Sequence, residues 1–441
     1  MLPTIAALRA RLEAVLTDKT EQGHDVAGLA EDLAAAEESY DALATIGRRL
    51  AEAPLRADWP YEEPDDLEGI LAAADPARPR DPLAVLAPED ARARAEAAFL
   101  GRVCGCMLGK PFEIDPTFDE LRDALEPIGE WPLRDYLSEA GLGRLRERQG
   151  QWPELVRERI DHVVPDDDIN YTIIGMLLLE AGGLSWTKDQ LFEQWGYQLP
   201  LRATFGPERT LMARAALQAL QETEAPDVDA WVSEMNPGAE LCGALIRVDA
   251  YAYACLGDPA RAAALAWRDA SCTHRRTGVY AAMFIAAAIA AAPCAEDRLD
   301  PFRIALGFVP QRSRFAERAR RCLDEVTRAT SFEDGYRRVH DAFGDFSHCR
   351  VYQEIGTLMN TLRFADDAGH GICLQVMQGN DTDSFGATAG SLLGAMLGPD
   401  ALEERWWQPF DDDLRTALAM FHERSLAAVT RRMGALPLLA G

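Results

Sequence analysis

The chain has 441 residues, 48% hydrophobic and 27% charged, which is enough apolar material for a large core and rules out general disorder. Lys+Arg 45 against Asp+Glu 72 gives a net charge of −27, which excludes a broad basic face for nucleic acid. Nine cysteines, odd in number, scattered and without zinc spacing, read as reduced thiols of a cytoplasmic protein.

In chain order, Leu8, Leu12, Val15 and Leu16, then Leu29, Leu33, Ala36 and Tyr40, fall at helical spacing on either side of Gly23 and Asp25. This predicts a helical hairpin over residues 2–53, an extension filling residues 1–55. Charges run through its apolar positions, so it is no signal peptide. Seven prolines between Pro54 and Pro88 exclude long helices and make residues 56–88 a connector, anchored by the apolar residues of Trp59–Ile70. The main domain follows at 89–441. Its helical period predicts helices over 89–108, 169–181, 208–223, 241–254, 259–270, 277–292, 313–329, 332–343, 352–364, 384–397 and 411–433. Nothing alternates strongly enough to require a sheet, so the class is all-α. Residues 278–295 approach the length of a membrane span, but they are mostly alanine and are interrupted by Pro293, which predicts a buried core helix and no membrane partner.

Two segments carry the chemistry. Pro165–Thr172 reads PDDDINYT and Gly379–Gly386 reads GNDTDSFG, each placing short acids just before an apolar helix. One Asp there is an ordinary N-cap. Three consecutive acids, or Asp-Thr-Asp-Ser, exceed that need. Asp166, Asp167, Asp168, Asp381 and Asp383 would repel one another if they converged, and a hard divalent cation with oxygen ligands, Ser384 included, removes the conflict. Two elaborate caps are the plainer alternative. Glycine stripes add to the case: Gly101, Gly105 and Gly109 recur every four residues, as do Gly386, Gly390, Gly394 and Gly398. Such stripes let helix backbones meet, which would carry Gly109 and Glu113 to the Asp clusters.

GRVCGCMLGKPFE, PDDDINYT and GNDTDSFGATAGSLLGAMLG resemble the three signatures of the ADP-ribosylglycohydrolases, the family of the dinitrogenase-reductase-activating glycohydrolase. Residues 246–274 agree, and the resemblance covers roughly residues 90–440. It implies an all-α catalytic domain around a central dinuclear cleft, with two divalent cations, Mg²⁺ first and Mn²⁺ as alternative. By position it implies Asp166, Asp167 and Asp168 as one ligand trio and Asp381, Asp383 and Ser384 as the other. Glu113 matches an acidic gate or acid/base residue; Glu113, Asp167 and Asp381 are the catalytic candidates. The implied reaction is hydrolysis at the anomeric carbon of ADP-ribose, with a carboxylate taking the proton of a metal-polarised water.

Three features depart from the family. Asp166 stands where a hydroxyl is usual, Ile169 where a second hydroxyl is common, and the first 90 residues match nothing in compact members. Asn380 precedes the Asp-x-Asp in place of glycine or a bulky residue, and tolerates similar turns. Gly109, Glu113, Tyr171, His274, Asn380 and Phe385 are the candidate substrate contacts. For His274, a phosphate contact beside Arg275 and Arg276 competes with a solvated helix entrance. Packing and capping are the readings for His348, Cys349 and His370. Three functions follow: an ADP-ribosyl hydrolase acting on a modified protein, the same chemistry on a small N-ribosyl nucleotide or NAD-derived metabolite, or a silent ADP-ribose sensor. The extension would serve as a cleft wall or an oligomer interface.

Overall fold

The computed structural model describes residues 3–113, 115–145, 152–221, 228–344, 346 and 349–440. Among them there is no strand, only isolated bridges, and the fold is all-α. Its axis is the pair of glycine-striped helices, Pro88–Gly109 and Thr382–Leu397. A Cβ on Gly105 would lie 2.0 Å from the Gly386 carbonyl oxygen, and one on Gly390 2.0 Å from that of Gly101. A Cβ on Gly394 would meet the Ala97 oxygen at 2.4 Å. The two backbones therefore touch along their length, and glycine's loss of about 1 kcal/mol against alanine is offset by a contact that no side chain allows.

Other helices pack around this pair. Arg276–Ala291, with the turn after it, is long and apolar enough to cross a membrane, yet every residue from Thr277 to Ala291 is buried in the core. The segment expected as a two-helix hairpin holds three helices, Ile5–Glu21, Leu29–Ala35 and Tyr40–Ala51, around a small core of their own that includes Leu12, Leu33, Leu43 and Leu50. Ser39, expected inside a continuous apolar run, instead caps a new helix through the Ala42 N–H. The connector holds one short helix, Leu67–Ala73, and is tied down along its length: Glu62 N–H to the Arg312 carbonyl, Tyr280 Oη to the Pro64 carbonyl, and Leu83 N–H to the Gly257 carbonyl.

Two further expectations fail locally. Residues 241–254 form a 3₁₀ segment, Cys242–Arg247, before a short α-helix, Asp249–Ala254, because the Arg247 guanidinium reaches back to the Gly243 carbonyl. The 411–433 helix starts only at Leu426 and runs to Ala435, since Asp411 and Asp412 adopt left-handed backbone and the Asp412 carboxylate accepts from Ala427 N–H and Ser425 Oγ. Helices at Lys188–Gln198 and Ala368–Met377 were not expected. The 208–223 expectation is met by Gly206–Gln221; residues 222–223 and His348 lie outside the described residues.

Candidate functional site

The glycine contact decides where the acids meet. It lays the end of the first helix on the start of the second, where Thr382 Oγ1 donates to the Gly109 carbonyl at 2.9 Å. A 3₁₀ turn, Lys110–Phe112, then delivers Glu113. The turn before the second helix needs left-handed backbone at Gly379 (φ 79°) and Asn380 (φ 60°), and a Cβ on Gly379 would strike the Pro116 oxygen at 2.0 Å. The third contributor is the Asp167–Gly182 helix, capped by Asp166 Oδ1 accepting from Asp168 N–H at 2.8 Å. Ser384 Oγ donates to Asp168 Oδ2 at 3.0 Å and so joins the two acidic motifs. Asp381, at the matching cap position, makes no side-chain capping bond. Plain N-capping therefore accounts for Asp166 and not for Asp381.

These elements enclose a cleft of about 240 Å³. Its acidic lining is Glu113, Asp167, Asp381, Asp383 and Ser384, with Tyr171 one turn on from Asp167 and Glu208 beside it; the apolar lining includes Phe205, Leu241 and Ile246. Behind the acidic lining sit two cations. Lys110 Nζ lies 2.5 Å from Asp166 Oδ2, 3.0 Å from Asp383 Oδ2 and 3.1 Å from Glu113 Oε2. Arg102, fully buried, bonds Asp168 Oδ1 and Asp249 Oδ1, each at 3.0 Å. Asp381 Oδ2 accepts from the thiols of Cys242 and Cys349, each at 3.4 Å, while its N–H donates to buried Glu354 at 3.2 Å.

Burial pushes the carboxyls of Asp167, Asp168 and Asp381 well up, and the neighbouring carboxylates push them further; Arg102 only partly opposes this at Asp168. Asp166 is the exception: burial is the largest influence and acts against its charge, but Lys110, the Asp168 N–H and the Cys106 thiol together hold it below the ordinary value. Glu113, half-exposed at the cleft, is raised to about 7 by burial and by the Asp383 charge, against the pull of Lys110. A carboxyl there can gain or lose a proton near neutral pH.

Of the residues singled out from sequence, Glu113, Asp167, Asp381, Asp383, Ser384 and Tyr171 line the cleft. Asp166 and Asp168 stand behind it as partners of Lys110 and Arg102. Four expected substrate contacts are placed elsewhere. Gly109 is a packing glycine whose Cβ would lie 2.1 Å from the Thr382 oxygen. Asn380 forms the turn and donates its N–H to the Pro116 carbonyl. Phe385 points the other way round its helix into the core, fully buried. His274 is also fully buried, its Nδ1 against Thr273 Oγ1 at 2.7 Å, because the adjoining Arg247–Glu208–Asp269 cluster draws that segment inward. Neither a phosphate contact nor a solvated entrance describes it. Arg102, Cys242 and Glu354 were missed; Cys349 was read as packing or capping, and Lys110 was given no role. Lys110 was legible as one of only three lysines, set inside the first motif; Glu354 as the one acid of its helix, Val351–Phe364.

The donor set suits a hard divalent cation. The acids on the cleft wall offer oxygen, Asp383 Oδ1 is buried without a hydrogen-bond partner, and the Asp381 carboxyl lies against that of Asp383; the Cys242 and Cys349 thiols, which also line the cleft, gather with Asp381 within 4.8 Å as softer donors. Among the described residues no cationic side chain forms a salt bridge with Asp167 or Asp381.

A family model described as ADP-ribosylglycohydrolase matches residues 87–434. One solved structure similar to this chain is an ADP-ribosylglycohydrolase-related protein complex, at 19% identity and a TM-score of 0.48, covering 80% of this chain and 99% of that one. No curated protein matches the chain.

Proposed function

The chain belongs to the ADP-ribosylglycohydrolase family, a family of glycosidases, and on that premise we propose that it is a divalent-metal-dependent hydrolase of the bond at the anomeric ribose carbon of an ADP-ribosyl group. The observation that carries this reading is the meeting of Glu113, Asp167, Asp381 and Asp383 in one cleft. Asp167, Asp381 and Asp383 would hold the ion, Mg²⁺ first and Mn²⁺ as alternative. When bound, such an ion supplies Lewis acidity for ribose hydroxyls and water. Asp381 is kept in place by the Cys242 and Cys349 thiols and by the Glu354 bond to its N–H. Glu113, with its carboxyl near 7, takes the proton of the attacking water at Oε. Leu241 and Ile246 of the apolar lining exclude bulk water from the ribose. The unpaired cysteines accord with a cytoplasmic setting.

A second reading replaces the modified protein by a small N-ribosyl nucleotide. The extension favours it by bracing the segment that leads into Leu241, with Arg11 Nε donating to the Met235 carbonyl at 2.8 Å and Asp18 Oδ2 accepting from Gly238 N–H at 2.7 Å.

Glu113→Gln tests both readings. Turnover should fall roughly 10²- to 10⁴-fold while ADP-ribose binding, measured by calorimetry in Mg²⁺, stays unchanged. Wild-type turnover in that variant would remove Glu113 from the role. Binding that survives EDTA would remove the ion from the site.

A further inference from the structure

The acids at this site already have a cation. Lys110 follows the last glycine of the striped helix, and its Cα is fixed because Gly109 is pressed on Thr382 and Pro111 follows. Its side chain is 7% exposed and passes the Trp152 ring, with Nζ 5.0 Å from the centroid. The ammonium has three N–H donors and three carboxylate partners, Asp166, Asp383 and Glu113, at 2.5, 3.0 and 3.1 Å. A divalent ion sharing those same oxygens would sit about 2.0–2.6 Å from each, in the volume Nζ occupies, and would meet a like charge there.

Asp168 is withdrawn as well, one oxygen held by Arg102 and the other by Ser384. What remains for an added ion is Asp167, Asp381 and Asp383 Oδ1, which line one cleft and would have to draw together around it, since among the described residues only Cys242–Cys349–Asp381 and Cys106–Asp166–Asp168 already hold three donor atoms within 4.8 Å of one another. That is one ion's worth of ligands. The same pairing explains Asp166: where a hydroxyl is usual, this chain adds one negative charge and sets one positive charge against it, so the two residues leave the site's net charge unaltered.

We propose that Lys110 is a resident cation of the centre, filling one of its two cation positions, and that the site binds a single divalent ion between Asp167, Asp381 and Asp383. The inference rests on the metal-dependent reading above and departs from the expected pair of ions. Lys110 is a positioning residue: it holds Asp383 towards the ion with one oxygen free, and keeps Glu113 at the cleft.

The test counts ions on the full chain. Metal-stripped protein is saturated with Mn²⁺, freed of excess by gel filtration and analysed for Mn per chain, with the electron paramagnetic resonance spectrum recorded on the same sample. One Mn²⁺ per chain with a six-line mononuclear spectrum is expected. Two per chain, with a spin-coupled spectrum, would overturn the proposal and leave metal dependence standing. None in either Mn²⁺ or Mg²⁺ would overturn both. In Lys110→Gln the vacated position should admit a second ion and the coupled spectrum should appear; a folded variant that still binds one would show that Lys110 is not what excludes the second. The wild-type count decides the matter even if that variant does not fold.

Discussion

Two buried charge clusters in this molecule look alike on paper and differ in kind. In the first, Arg314 bonds Glu63 through Nε at 3.0 and 3.1 Å and Glu240 through its two Nη groups at 2.9 and 2.6 Å, and it reaches the Glu21 carbonyl at 3.1 Å. Both acids meet the guanidinium with two oxygens, and the cluster stitches extension and connector to the main body. In the second, Asp166, Asp383 and Glu113 share Lys110 while Asp168 and Asp249 share Arg102; among the described residues Asp167 and Asp381 have no salt bridge, and Asp383 keeps one oxygen unpartnered. A cluster whose acids all meet a cation is scaffold. One with acids that meet no cation, and that face a cleft, is built for a cation that arrives from solution.

The largest expected effect lies in the closed cluster. Arg314→Met leaves two buried carboxylates without a partner and should destabilise the protein by about 3–5 kcal/mol, read by denaturant unfolding. Metal ions should not restore it; recovery in Mg²⁺ would blur the distinction between the clusters. The open cluster should respond the other way. With Mg²⁺ at 100 times its dissociation constant the protein gains about 2.7 kcal/mol over the EDTA-treated form, seen as a higher melting temperature. An unchanged midpoint in chelator would place the ion elsewhere.

A smaller effect sharpens the comparison through pH. Burial, with neighbouring carboxylates, raises the folded-state values of Asp167, Asp168 and Asp381, and brings Glu113 to about 7. Groups raised in the folded state bind protons more tightly there than in the unfolded chain. Their contribution is full below the ordinary carboxylate range and is lost as pH rises through the folded values; Asp166, which is lowered, acts in the opposite sense. The metal-free protein should therefore melt at progressively lower temperature between about pH 5 and pH 8, and saturating Mg²⁺ should flatten that slope. A metal-free midpoint that rises over this range would mean that Lys110 dominates the whole cluster, not Asp166 alone.

Much of the site was legible because it is written locally. An Asp before an apolar run announces a helix start, and glycine at every fourth position announces a backbone contact; both depend on neighbours a few residues apart. The stripes at 101–109 and 386–398 even indicated which two helices meet, since a glycine row has value only against another close backbone. The failures share a cause. Phe385 and His274 sit on or beside the right helices but face the core, because helical period identifies an apolar row without naming the neighbour it will meet. The 411–433 helix fails for a local reason: the Asp412 carboxylate offers Ala427 N–H an acceptor that competes with a helix, and Asp411 and Asp412 take left-handed backbone.

The sequence by itself determined the helical class, the acidic helix starts and the glycine contact that joins them. Only the tertiary structure decided which cations the acids would meet. Lys110 finds Asp383 across 273 residues, Arg102 finds Asp168 across 66, and Cys242 finds Asp381 across 139. Such pairs are set by how packed helices rotate about their axes to bury their apolar faces, and that rotation is a property of the whole core rather than of any segment of the chain.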